Sequence, residues 1–197
     1  MAARDDILAA LRRNAPAGPA RPALDGVGVR FADPPAQLEQ AVVAVGGAFV
    51  RVPDLAAADA ALRALPVHRE ARRIASLVPG VGAPTVDAAA VTDPHQLEGL
   101  DLVVLRGALA VAENGAVWIE GASLPHHALV VIPEHVAVVV DAAAIVPDLH
   151  AAYAALDLPG RPRWGTFLAG PSKTADIEQA LVIGAHGARS STLLLVG

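Results

Sequence analysis

The segment Leu102-Val103-Val104-Leu105-Arg106-Gly107-Ala108-Leu109-Ala110-Val111-Ala112-Glu113-Asn114-Gly115-Ala116-Val117-Trp118-Ile119-Glu120 decides how this chain is organised. Residues 102–106 read as one strand. Two more follow, near 108–112 and 116–120, joined by Glu113-Asn114-Gly115 with no helix between them. Asn-Gly is a strong hairpin signal, because both residues tolerate positive φ.

Outward from this segment the pattern changes. Upstream it predicts a helix over 35–46, a strand over 49–52, a helix over 54–65 and a strand over 74–78. Downstream it predicts strands over 129–132 and 136–140, a helix over 147–156, a strand over 166–169, a helix over 174–184 and a last strand over 192–196. Strands alternating with helices indicate an α/β fold with a largely parallel sheet flanked by helices. The helix-free stretch from 102 to 140 predicts an antiparallel β insertion. Residues 4–14 read as a short amphipathic helix with Ile7, Leu8 and Leu11 on one stripe. The Pro/Gly/Ala stretch from Ala15 to Pro22 cannot be helical. The expected division is an N-terminal arm and linker over 1–22 and an α/β domain over 23–197.

Composition narrows the function classes. A chain of 197 residues can bury a sizeable core as one domain. It is 54% hydrophobic, yet no run reaches the roughly 18–20 apolar residues that span a bilayer. Ala128 to Val146 is broken by Pro133, Glu134, His135 and Asp141. The acidic, weakly apolar start does not fit a signal peptide, so a cytoplasmic protein is expected. There is no cysteine, hence no disulfide, no thiolate nucleophile and no iron–sulfur or zinc site built on thiolates of this chain. A net charge of −5 and scarce aromatics argue against nucleic acid. The histidines show no metal-binding spacing, and His126 and His127 would point to opposite faces of a strand, so no metal is expected.

Chemistry concentrates in two places. The first is Phe167-Leu168-Ala169-Gly170-Pro171-Ser172-Lys173-Thr174-Ala175-Asp176-Ile177-Glu178, followed by Gly184-Ala185-His186-Gly187. It reads as a strand, a tight turn and a helix opening with hydroxyls and a lysine, a junction that suits a small anion. Gly170, Ser172, Lys173, Thr174, Asp176 and His186 are the candidate ligand-binding residues. Equally, Ser172 or Thr174 caps the helix start, and His186 caps its end. The Walker spacing and the dinucleotide fingerprint are both missing; Gly80-Val81-Gly82-Ala83-Pro84 comes nearest to the latter, and Pro84 blocks it. The second place is Glu113, a carboxylate at a turn between two apolar strands. It is a turn residue, a ligand-binding residue or a catalytic nucleophile.

Gly170 to Glu178, with Leu181-Val182 and Gly184-Ala185-His186-Gly187, resembles the C-terminal signature of the lactate utilisation protein C family (LUD domain, also called the YkgG or DUF162 family). Ala112-Glu113-Asn114-Gly115-Ala116 is similar to that family's Ala-Glu-Thr-Gly-Thr motif, with Asn114 in place of the usual Thr. Ala188 stands where the family usually has Pro. Leu124-Pro125 through Val146-Pro147-Asp148-Leu149 follows the family's course into a helix. The resemblance implies the fold of the glucosamine-phosphate deaminase, ribose-phosphate isomerase and CoA-transferase group. It also implies a cluster-free subunit of a bacterial system oxidising L-lactate to pyruvate, with iron–sulfur centres only on partner subunits and no cofactor expected on this chain. Such a chain is more a component of a complex than a stand-alone enzyme. In that fold group CoA-transferases carry their nucleophilic glutamate in a Glu-Asn-Gly turn similar to 113–115, so a CoA-transferase-like or phosphosugar-handling enzyme using Glu113 is the alternative. A non-catalytic scaffold is a third reading.

Overall fold

The computed structural model describes residues 3–15, 18, 26–156, 164–175 and 180–197. A five-stranded parallel sheet forms its centre. The strands are β1 (Ala48–Val52), β2 (Ile74–Ser76), β3 (Leu102–Arg106), β6 (His135–Asp141) and β11 (Ser190–Val196), in the order β1-β11-β6-β3-β2. A second sheet, β7-β4-β5-β8, is made from β4 (Leu109–Val111), β5 (Val117–Glu120), β7 (Ile145–Val146) and β8 (Gly165–Leu168). Here β5 runs antiparallel to both β4 and β8, while β7 runs parallel to β4. The hairpin of β9 (Lys173–Thr174) and β10 (Val182–Ile183) stands apart. Among the described residues, five α-helices accompany these strands: α1 (Ala3–Asn14), α2 (Pro34–Ala44), α3 (Leu55–Ala64), α4 (Pro66–Glu70) and α5 (Leu149–Leu156).

The period-two alternation of strand side chains sorts the apolar residues into two cores. Val103 and Leu105 of β3, Val136, Val138 and Val140 of β6, and Leu193 and Leu195 of β11 face one side. There they meet Leu38 and Val42 of α2 and Val117 and Ile119 of the second sheet. Leu102, Val104, Ala137, Val139 and Leu194 face the other side, under Ala58 and Leu62 of α3. The outer face of the second sheet is covered in turn by Ala152, Leu149 and Leu156 of α5. Helix starts are capped as their sequences direct: the Asp33 carboxylate accepts from Ala36 N–H at 3.1 Å and that of Asp54 from Ala57 N–H at 2.8 Å.

The α/β class with a largely parallel sheet and an antiparallel part holds, with four local corrections. Residues 136–140 are not in the antiparallel part; they lie in the parallel sheet between β3 and β11, buried on both faces. The expected strand over 129–132 is a 3-10 turn, His127–Val130, in which Val131 and Ile132 donate their N–H groups to Ala128 O. No edge of β3 is open to receive it, since β2 and β6 flank that strand. The helix expected over 174–184 is replaced at both described ends by the β9–β10 hairpin, where β-branched Thr174, Val182 and Ile183 suit an extended chain. The Glu113-Asn114-Gly115 hairpin forms, but as a wider turn in which Gly115 N–H reaches Val111 O; Gly115 takes φ +73° and Asn114 does not go positive. Helix α1 forms where residues 4–14 read as a helix, with Ile7 and Leu11 exposed; residues 16–17 and 19–22 of the linker lie outside the described residues.

Gly115 is where the second sheet meets α2. A Cβ there would lie 2.9 Å from Val42 N and 3.0 Å from Ala41 C, both helix backbone atoms. Gly115→Ala is therefore expected to destabilise by about 2–4 kcal/mol, from left-handed strain plus overpacking. Gly80, at φ +78° with nothing within 4 Å, serves as the strain-only control and should cost about 1 kcal/mol on replacement by Ala. Urea midpoints at unchanged m-value measure both; equal losses would show that α2 does not constrain the turn.

Candidate functional site

Register places three turns at one end of the second sheet. Val111, the last residue of β4, pairs with Val146 of β7, so Glu113 and the Pro147-Asp148 corner leave the sheet together. Val117, the first residue of β5, pairs with Leu168, the last of β8, so Ala169-Gly170-Pro171 leaves there too. Glu113 N–H donates to Pro147 O at 3.0 Å.

Glu113 is exposed. Its carboxylate accepts from Leu149 N–H at 3.4 Å, a long contact to the first residue of α5, and the Asn114 carbonyl oxygen accepts from Ala116 N–H at 3.0 Å. Its hold on the fold is thus light. The Gly170 turn packs against the C-terminal end of α2: a Cβ at Gly170 would approach Val45 O to 2.6 Å. Lys173 is exposed and reaches back over the end of α2, where its Nζ would lie 3.2 Å from a Cβ at Gly46. An ammonium at a helix C-terminus complements the helix dipole.

The cradle at 170–174 differs from the sequence-based expectation. Ser172 N–H is taken by Ala188 O at 2.8 Å, and Ser172 O accepts from Gly184 N–H at 2.9 Å. No helix begins at Thr174, so the dipole argument for an anion there is withdrawn, and so is the capping role of Ser172 or Thr174. What remains is side-chain chemistry: Gly170, Ser172, Lys173 and Thr174 share one hairpin arm, and the return loop carrying His186 packs on it through Gly187 beside Ser172. His186 is exposed on a bend and caps no helix end. Asp176 lies outside the described residues.

Asp148 is the residue that the sequence reading passed over. It is only 5% exposed and ties two segments together, accepting from Ala151 N–H at 2.8 Å in α5 and from Val29 N–H at 3.0 Å in the segment ahead of α2. The Pro147-Asp148-Leu149 order is the signal of an N-cap ahead of a helix; the bond to Val29, 119 positions away, has no local signal. Donation from Ala151, then from Val29, with His150 nearby, holds the Asp148 carboxyl below the usual carboxylate range against the opposing effect of burial.

Comparison with known proteins now fits this geometry. The LUD domain sequence pattern matches residues 95–196, which contain all three turns. The chain belongs to the LUD domain family. A crystal structure of a DUF162 family protein from Deinococcus radiodurans is similar in fold, with a TM-score of 0.59 and 24% identity over 86% of this chain and 99% of that one. No curated protein matches the chain. LUD membership suggests a role related to lactate utilisation. No helix among the described residues is long and apolar enough to cross a membrane.

A depressed carboxyl stabilises the fold above the unfolded pKa of about 3.9 and loses that contribution as pH falls through the folded value. Melting temperatures of the parent protein and of Asp148→Asn, taken from pH 7 to pH 3, should differ most above about pH 5 and converge on acidification. A gap that stays constant with pH would contradict an ionised Asp148 clasp.

Proposed function

We propose that this LUD domain chain is a subunit of a bacterial L-lactate utilisation system and binds a small 2-hydroxy or 2-oxo carboxylate at the three-turn end of the second sheet. The observation that carries this reading is the convergence there of an exposed carboxylate on a lightly held turn, Glu113, and the Gly170–Thr174 arm with its exposed Lys173. In this reading Lys173 supplies charge for the ligand's carboxylate and Ser172 a hydroxyl donor. Glu113 accepts a hydrogen bond from the 2-hydroxyl of lactate, and His186 closes the rim from the return loop. The oxidation itself belongs to partner subunits with iron–sulfur centres, since this chain offers no thiolate to hold a cluster. Residues 1–22 serve as an arm distinct from the 23–197 domain, and the protein works in the cytoplasm.

The test is growth on L-lactate after deletion of the gene, with rescue by variants. Glu113→Gln keeps the shape and removes the charge; with Lys173→Ala it should restore little growth, while either substitution moves stability by only about 0.5 kcal/mol. Full rescue by both variants contradicts the site. Incubation with an acyl-CoA followed by borohydride reduction separates the enzyme alternative: conversion of the Glu113 carboxyl to the alcohol with release of CoA, read by mass spectrometry, would replace the binding role by a glutamyl thioester.

A further inference from the structure

At the opposite end of the second sheet lies a cleft of about 370 Å³, walled by Trp118, Trp164, Leu109, Val146 and Leu156 with Glu120 among its lining residues. These two are the only tryptophans of the chain. Both indoles are fixed by their surroundings. Trp118 lies against Gly165, where any Cβ would collide with its ring, and tilts onto Phe167 at 4.9 Å between centroids. Trp164 packs on Gly121 in the same way, accepts from Gly121 N–H at its carbonyl at 2.9 Å, and stacks on His127 at 4.1 Å and 18°.

Trp164 is nevertheless 43% exposed. A large apolar ring that is clamped and left open loses little entropy when a ligand covers it, which is what a preformed site needs. Among the described residues that line it, Glu120 is the one ionisable side chain, and indole faces attract cations through their quadrupole. A carboxylate offers about four acceptor positions, so an existing partner of Glu120 leaves room for another donor.

We infer that this cleft binds a planar organic cation, a one- or two-ring system carrying an amidinium or protonated ring nitrogen, with its ring on the open Trp164 indole and its N–H groups toward Glu120. The site is separate from the three-turn end proposed for the carboxylate.

Benzamidine is the probe, and because both tryptophans line the cleft, intrinsic fluorescence reports on it directly. Benzamidine should change the emission saturably, whereas benzoate (equally planar, opposite charge) and cyclohexylammonium (same charge, not planar) should not. Glu120→Gln should weaken benzamidine by about tenfold or more, as loss of a charged hydrogen bond does. No saturable change with benzamidine, or equal binding of benzoate or cyclohexylammonium, overturns the inference. So does unchanged affinity in a Glu120→Gln protein that melts normally. Should that variant melt early, the three-probe comparison on the parent protein decides alone.

Discussion

A turn that must lie on the backbone of a helix constrains much of this molecule. Gly115 rests on Ala41 and Val42 of α2, and the same helix carries Leu38 and Val42 into the core between the two sheets. Its C-terminal end receives Gly170 and Lys173. One helix therefore fixes the depth of the second sheet and the positions of two of the three turns. Helix α2 is itself placed by an Asp33 cap, two prolines at its start and a Gly46-Gly47 exit into β1.

Charge at the site works for fold and function together. Asp148 is buried and ionised because two backbone N–H groups hold it, so it fastens α5 and the segment around Val29. Glu113 is exposed and held by one long contact, and Lys173 is exposed over the end of α2; the proposed site asks both to meet a ligand. The contrast separates the carboxylate that stabilises from the one proposed to bind.

Much of the fold was legible because its signals are local. The apolar run Leu102–Leu105, the Glu-Asn-Gly hairpin and the capped helices each appear near their predicted places. The misreadings share a cause. Val136–Val140 joined the parallel sheet, and Ala128–Ile132 stayed out of it, because strand partnership depends on which edges are already occupied. Thr174 to Gly184 carries a plausible helix start, yet Ser172 and Gly184 are drawn into a ladder with Ala188 that no local pattern announces. The candidate site residues were legible as a group through the turn motifs. Their grouping with Pro147-Asp148 follows only from sheet register.

The central claim is that the three turns bind a small carboxylate, and amide chemical-shift mapping with L-lactate and pyruvate tests it most directly. The account predicts saturable shifts confined to residues 113–116, 147–149, 170–174 and 184–187. Shifts elsewhere, or none at saturating concentrations of either carboxylate, would contradict it.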